Sequence, residues 1–159
     1  MSEKKTIDPQ KIIIREFKIT RGNIDCPDEF DIAGIESFNF NVDLRTGFNL
    51  DEKLIRADFL VNVATISKDK VEEAHSSFHF VFIYHYEDLP SHTNLLEDGV
   101  VDCNPYLANA VASITYSTAR GILISRFQGT AMRDFILPVV DPNTLISQGV
   151  SQQRQTELK

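Results

Sequence analysis

The chain has 159 residues, of which 42% are hydrophobic and 25% are charged, a composition typical of one soluble globular domain. Its net charge of −7 disfavours binding to nucleic acid and to anionic membrane surfaces, both of which attract basic proteins. Two cysteines outside any CxxC spacing imply neither a disulfide scaffold nor a cysteine zinc site. The sequence contains no apolar stretch of signal-peptide or membrane-spanning length, so we expect a cytoplasmic protein without membrane insertion.

The N-terminal part of the chain predicts a polar tail, a strand and a long loop. Residues 1–10 are polar, and we expect them to be flexible in front of a single domain over residues 11–156. Residues 11–21 are rich in β-branched side chains, which favours a first strand. Residues 22–35 contain two glycines and a proline together with apolar side chains, which is typical of a long loop with apolar content.

Two strands with one apolar face follow this loop. Apolar and polar side chains alternate over residues 36–45, and they alternate again from about residue 54 to residue 67. The polar run at residues 67–70 predicts a tight turn into a fourth strand. The period of two predicts an antiparallel sheet with one buried face and one wet face.

The fourth predicted strand, at about residues 72–86, carries a stripe of aromatic side chains on every second residue. These are Phe78, Phe80, Phe82, Tyr84 and Tyr86. A strand directs alternate side chains to opposite faces, so the five rings share one face. The stripe is either ordinary core beneath helices or a wall that grips an apolar ligand, and we favour core because large apolar residues are mostly buried.

Two helix signals complete the chain. Asn104-Pro105 predicts a helix to about residue 127, and Asp141-Pro142 predicts a second helix to about residue 155. On the first helix we predict an apolar face formed by Leu107, Val111, Ile114, Thr118 and Ile122. The predicted fold class is therefore α+β, a four-stranded antiparallel sheet with two C-terminal helices packed on one face.

A stripe of small residues also follows the first predicted helix. It consists of Ala110, Ser113, Ser117 and Gly121. Small side chains allow backbones to approach closely, so the stripe indicates either tight packing on the chain's own sheet or contact with a helix of another copy. The pattern leaves both interpretations open.

Sequence motifs for catalysis are absent, so we predict a protein that is not an enzyme and has no cofactor and no metal. There is no GxSxG, no P-loop and no GxGxxG. His75, His79 and His85 share one strand face, but the rise of a strand spaces them by roughly 13 and 20 Å, too far for one metal ion. An enzyme with dispersed catalytic residues remains an alternative.

The order of elements and several local segments resemble the SecB family of export chaperones. Residues 44–66, LRTGFNLDEKLIRADFLVNVATI, resemble the family's second turn and third strand, and EEAHSSFHFVF stands where the family has its fourth strand. Residues 116–140 resemble the stretch where the long helix leads to an RGT-like element and a Pro-Val run, here Gly129-Thr130 and Pro138-Val139. Asp25-Cys26-Pro27 resembles the step that closes the first strand. The resemblance covers residues 11–150.

The resemblance implies ATP-independent binding of unfolded polypeptides, including preproteins for export. It implies a homotetramer built as a dimer of dimers with the long helices between dimers, which favours the oligomer interpretation of the small-residue stripe. It also implies an apolar client groove between the first long loop, the second helix and the sheet. The client-binding residues would be Phe30, Ile32, Ile35, Phe38, Phe78, Leu145, Ile146 and Val150.

Departures from the family concern docking to the secretion ATPase. The docking positions on the wet face correspond to Asp25, Ser77 and His79. Asp25 keeps the expected acidic character, whereas Ser77 and His79 stand where an apolar and an acidic residue are expected. Arg21 replaces a second acidic residue, and the C-terminal SQQRQTELK does not resemble the family's docking tail. These departures disfavour the secretion ATPase as a partner and make a dedicated client, such as an antitoxin of a toxin–antitoxin system, an alternative within the class.

Two alternatives from other classes stay open. A small-molecule-binding protein or enzyme would place a pocket near Tyr84, Tyr86 and His92, with convergent polar groups. An adaptor subunit would recruit a folded partner through the wet face of the sheet.

Overall fold

The computed structural model describes residues 6–146, which form one antiparallel sheet covered by a long helix. Each strand pairs only with antiparallel neighbours, in the order β1-β4-β3-β2. The four strands are β1 (Ile13–Asp25), β2 (Ile35–Asn49), β3 (Leu54–Ser67) and β4 (His75–His85). The predicted fold class, α+β with a four-stranded antiparallel sheet, is confirmed.

The aromatic stripe of β4 lies in the core, as predicted. All five of its rings are buried, and two pairs of them stack, with centroids 5.7 Å apart for Phe78 and Phe80 and 5.9 Å apart for Phe82 and Tyr84. The neighbouring inner row of β3 is buried as well and consists of Ile55, Ala57, Phe59, Val61 and Val63. These two central strands therefore supply most of the sheet's contribution to the core.

After β4 the chain is more ordered than its irregular, acidic sequence predicts. Residues 93–103 form a small hairpin of β5 (Thr93–Leu95) and β6 (Val101–Cys103), preceded by a 3-10 turn. Buried His92 anchors the base of the hairpin, since its Nδ1 lies 3.2 Å from Nδ2 of Asn104 and its ring packs on Tyr86. Hairpins this short leave little periodicity in a sequence.

The long helix α1 (Pro105–Arg126) begins as predicted, with the Asn104 side chain accepting a hydrogen bond from the N–H of Tyr106. Its predicted apolar face is partly wrong, because Ile114, Thr118 and Ile122 are only half-buried. The buried side is rotated toward small and hydroxyl residues and consists of Leu107, Val111, Ala112, Thr115, Tyr116, Ala119 and Leu123. Small side chains let the helix approach the aromatic side chains of the sheet closely. A pattern of apolar residues alone therefore does not identify the buried side of the helix.

The chain then crosses back over the helix in an extended segment and enters a second helix. The Tyr116 hydroxyl donates to the Pro138 carbonyl at 2.6 Å, which ties the segment to α1. Residues 142–146 are helical, and the rest of the predicted second helix lies outside the described residues. Nowhere between residues 6 and 146 is a helix long and apolar enough to cross a membrane.

At the other end of the chain, Ile7 packs against the core and the N–H of Asp8 donates to the Tyr86 hydroxyl at 3.3 Å. A 3-10 turn, Pro9–Lys11, follows and leads into β1. The domain limits at residues 11 and 156 stay a prediction.

Coverage of the sheet by α1 is incomplete. A helix is about 10 Å wide while strands are about 4.8 Å apart, so a single helix covers about two strands. The central strands β3 and β4 are buried, whereas inner-face residues of the outer strands remain accessible: Phe17 of β1 is 41% exposed and Phe40 of β2 is 38% exposed.

The buried hydrogen bond between the Tyr84 hydroxyl and Thr115 Oγ1, 2.7 Å long, joins the sheet to α1. Replacing Tyr84 by Phe leaves the Thr115 hydroxyl unpaired in the core, and we expect the free energy of unfolding to fall by about 1–3 kcal/mol. Urea unfolding measures the change. The exposed Tyr106→Phe serves as the control and should be nearly neutral; equal stability of the two variants would contradict this role of the hydrogen bond.

Candidate functional site

A row of apolar side chains follows β2 on the inner face of the sheet. We call it the β2 row; it consists of Phe38, Phe40, Val42, Leu44 and Phe48. Phe40 is exposed, Leu44 is buried and the other three are half-buried. These residues pair with the inner row of β3, for example Phe40 with Val63 and Leu44 with Phe59. From Phe38 to Phe48 the strand rises by about 33 Å, so the row follows nearly the whole edge of the sheet.

At one end of the β2 row lies an aromatic cluster centred on Phe135. The ring centroid of Phe135 is 5.4 Å from that of Phe38 and 5.4 Å from that of Phe40. Two apolar residues of the same crossing segment face solvent, since Ile136 is 59% exposed and Val139 is 87% exposed. At this end, the exposed ring of Phe40 therefore rests on the buried ring of Phe135.

At the other end lies a small cavity of about 50 Å³ where β2, the start of α1 and the start of the second helix meet. Leu44, Phe48 and Ile146 line it, together with the Cys103 side chain. Burial raises the pKa of the Cys103 thiol to about 11, so this cysteine is protonated and unreactive at neutral pH. The cavity is an apolar recess without a catalytic group.

The loop between β1 and β2 forms an open cleft of about 600 Å³ against the turn that follows β3. Phe30 lines this cleft and packs on the core together with Ile32. The Asp31 side chain accepts a hydrogen bond from the N–H of Ala33, which fixes the turn that presents Ile32. The rest of the lining is largely acidic and includes Asp28, Glu29, Asp69 and Glu72.

The predicted client residues fall into two groups with the β2 row between them. Phe38 lies in the row at the end where Phe135 packs, and Ile146 lies at the end with the small cavity. Phe78 and Leu145 are buried in the core, and Leu145 lines a groove beside α1. Ile35 is half-buried at the start of β2, and Val150 lies outside the described residues. That these residues bind a client stays a prediction.

The small-residue stripe of α1 is divided between the chain's own core and solvent. Ala110 and Ser113 are half-buried, whereas Ser117 and Gly121 are exposed. Ser113 and Ser117 border a groove that the segment of residues 139–145 also lines. Oligomer contacts through the stripe stay a prediction.

The wet face of the sheet carries the three predicted docking positions, but an ion-pair network engages one of them. His79 Nε2 lies 2.8 Å from Asp58 Oδ1, and Arg56 donates to both oxygens of Asp58 at 2.8 and 3.0 Å. The Arg56 guanidinium holds the pKa of the Asp58 carboxyl below its ordinary value. Asp25 is exposed and Ser77 half-buried. Docking of a partner here stays a prediction.

The polar groups of the proposed small-molecule pocket are engaged within the fold. The Tyr84 hydroxyl bonds to Thr115, the Tyr86 hydroxyl accepts from Asp8, and His92 bonds to Asn104. Burial raises the pKa of Tyr84 to about 12. In the part of the chain that the structure describes, there is no group of three or more His, Cys, Asp or Glu residues that could hold a metal ion.

Sequence reasoning did not single out Phe40, Phe135, Ile136 and Val139. Phe40 is visible in the alternation of residues 36–45, but a period of two does not show that its strand lies at the edge of the sheet. The apolar run of residues 135–140 is the only sequence signal for the other three.

Comparison with known proteins finds a related fold and no close relative. No protein-family model and no curated protein matches the sequence. Among solved structures, the Mycobacterium tuberculosis SecB-like chaperone Rv1957, in complex with a ChAD peptide from the HigA1 antitoxin Rv1956, overlays with a TM-score of 0.59 at 13% identity; the match covers 82% of this chain and 91% of that chain. The fold is SecB-like.

A second solved structure, a protein of unknown function from Streptococcus agalactiae, reaches a TM-score of 0.31 at 12% identity, over 80% of this chain and 97% of that chain. A similarity this low supports no conclusion. The shared fold alone does not assign an activity.

The lowered pKa of Asp58 predicts how stability depends on pH. A carboxyl whose pKa is lower in the folded state stabilises the fold above its unfolded pKa of about 3.9, and the contribution is lost as pH falls through the folded pKa. Because the ion pair is partly exposed, we expect Asp58→Asn to lose at most about 1 kcal/mol at neutral pH. Urea unfolding at several pH values should show the loss vanish in acid, while the exposed Asp51→Asn shows no such trend; a loss independent of pH would contradict the assignment.

Proposed function

We propose that the protein is an ATP-independent holding chaperone that binds non-native polypeptides along the β2 row. The observation that carries this proposal is the apolar β2 row near the edge of the sheet, in which Phe40 is exposed and its neighbours Phe38 and Val42 are half-buried. Soluble proteins seldom expose a contiguous apolar surface unless it binds something. A row without convergent polar groups suits binding rather than catalysis.

The shape of the surface suits a client without a fixed sequence. An unfolded chain presents apolar side chains at irregular intervals, and a long apolar row accepts many of them in different registers. Aromatic side chains such as Phe40 and Phe135 supply large contact areas at a small cost in conformational entropy. The loop residues Phe30 and Ile32 would extend the surface at one end and Ile146 at the other.

A single dedicated client, such as an antitoxin, is the second candidate. The Mycobacterium tuberculosis protein with this fold is solved with an antitoxin peptide, which supports a polypeptide client of that kind. On the wet face, His79 and Arg56 pair with Asp58 where an acidic docking surface for the secretion ATPase would be needed. This supports a dedicated client over a role in export.

We propose a cytoplasmic homotetramer, a dimer of dimers, as the working form. Two exposed surfaces support further contacts between copies: the apolar side chains of Ile14 and Phe17 on the inner face of β1, and the small residues Ser117 and Gly121 on α1. The solution mass decides this point, and a mass of 18.0 kDa, that of one chain, would contradict it.

Aggregation of an unfolding protein, followed by light scattering without nucleotide, tests the proposed function. The chaperone should suppress the scattering, and Phe40→Ser should weaken suppression severalfold because it removes an exposed ring from the β2 row. Ile66→Ser is the matched control, since Ile66 is 42% exposed but lies on the opposite face of the sheet. Failure of the unaltered protein to suppress scattering would contradict the proposal, and so would equal effects of the two substitutions.

A further inference from the structure

The strand that carries the apolar row is also an open edge of the sheet. β2 pairs with β3 on one side, and within residues 6–146 no strand pairs with it on the other side. Its pairing with β3 is continuous from Ser37 to Asn49, and the only irregularity lies between Ile35 and Ser37. The opposite edge, β1, is interrupted twice, between Ile14 and Glu16 and between Ile19 and Arg21.

The direction of the hydrogen-bonding groups on this edge follows from the register. In an antiparallel sheet the N–H and C=O of one residue point to the same side, and those of the next residue point to the other side. The Thr65 N–H donates to Ala74 at 3.0 Å, so odd-numbered residues of β3 point to β4 and even-numbered ones to β2. Their odd-numbered partners in β2 therefore point to β3, and the even-numbered residues of β2 point outward.

The outward-pointing residues include Phe38, Phe40 and Val42 of the β2 row. Among the described residues, none forms a backbone hydrogen bond with the N–H or C=O groups that these three direct outward. The same residues therefore present unpaired backbone groups at the edge and apolar side chains on the inner face.

Natural edge strands are usually protected against pairing by charges, prolines or bulges. β1 has such protection, with two irregularities and five charged residues: Arg15, Glu16, Lys18, Arg21 and Asp25. β2 has no such protection between residues 37 and 42, whose sequence SFNFNV contains no charge and no proline. An unprotected edge next to an apolar surface is a template for an added strand.

We propose that a client segment binds in extended conformation as a fifth strand on the outer edge of β2. This inference rests on the proposed function and specifies how its site takes a client. Backbone hydrogen bonds to Phe38, Phe40 and Val42 supply affinity that does not depend on the client's sequence. Every second client side chain faces inward beside Phe38, Phe40 and Val42, and the alternate ones lie beside Asn39 and Asn41.

The occupant is a non-native polypeptide rather than a second copy of the chain, because this edge has no charged side chains that would select a partner of defined sequence. A fixed partner is selected by charges at defined positions, as β1 provides. The uncharged, regular edge at residues 37–42 instead accepts any extended segment with apolar residues at alternate positions.

Residue-resolved hydrogen exchange on the full-length protein tests the proposal, with a synthetic peptide that alternates phenylalanine and serine as the probe. Saturating peptide should slow exchange of the Phe40 and Val42 amides by at least about tenfold, as expected for newly hydrogen-bonded amides. The Asn39 and Asn41 amides, which already point to β3, are the internal controls and should change little.

The peptide itself provides a second readout. Two versions of the peptide have identical side chains. One carries N-methyl groups on the phenylalanine amides, and the other carries them on the serine amides. Strand addition predicts that the two versions bind with clearly different affinities. Only one set of alternate amides points to β2, and N-methylation of that set removes the hydrogen bonds to the strand.

The possible failures are distinguishable. Peptide binding and suppression of aggregation without protection of Phe40 and Val42 would overturn strand addition and leave the proposed function intact. Protection of these amides in the protein alone, growing with its concentration, would identify a second copy as the occupant and overturn the inference. Absence of binding both to the peptide and to unfolded chains would overturn the inference and the proposed function together.

Discussion

The packing of one helix against the buried inner rows of the two central strands, β3 and β4, determines the rest of this structure. Phe80, Phe82 and Tyr84 of β4 are buried beneath α1, and the Tyr84–Thr115 hydrogen bond joins the two layers. A single helix covers about two strands of a sheet, because it is about 10 Å wide and strands are about 4.8 Å apart. Four strands under one long helix therefore leave the inner faces of both outer strands incompletely covered.

The two incompletely covered strands differ in what they offer a partner. β1 combines its exposed apolar side chains with charges and an irregular register, which suits a contact of fixed geometry. β2 is regular, and between residues 37 and 42 it is uncharged; it runs from an aromatic cluster around Phe135 to an apolar recess at Ile146. Because one helix does not cover four strands, the sheet exposes apolar side chains on both outer strands. The exposed part of β1 suits assembly, and that of β2 suits unfolded clients.

Local patterns in the sequence predict the strands, the start of α1 and the burial of the aromatic stripe, since a period of two and an Asn-Pro cap are properties of short segments. The order β1-β4-β3-β2 is not local, so the edge position of Phe40 could not be read from its alternation. The buried side of α1 was missed because Thr115 and Ala119 pack on the sheet through small size and a hydrogen bond rather than through apolarity. The family resemblance predicts Phe30, Ile32 and Ile146 as client-binding residues, and the structure places the β2 row between them.

Site-specific photo-crosslinking to a permanently unfolded protein tests the central claim most directly. A benzophenone side chain at position 40, on the β2 row, and one at position 66, on the opposite face, have similar exposure but different surroundings. The account predicts nucleotide-independent crosslinks to the unfolded protein from position 40 and few from position 66. Equal crosslinking from both positions, or none from position 40, would contradict it.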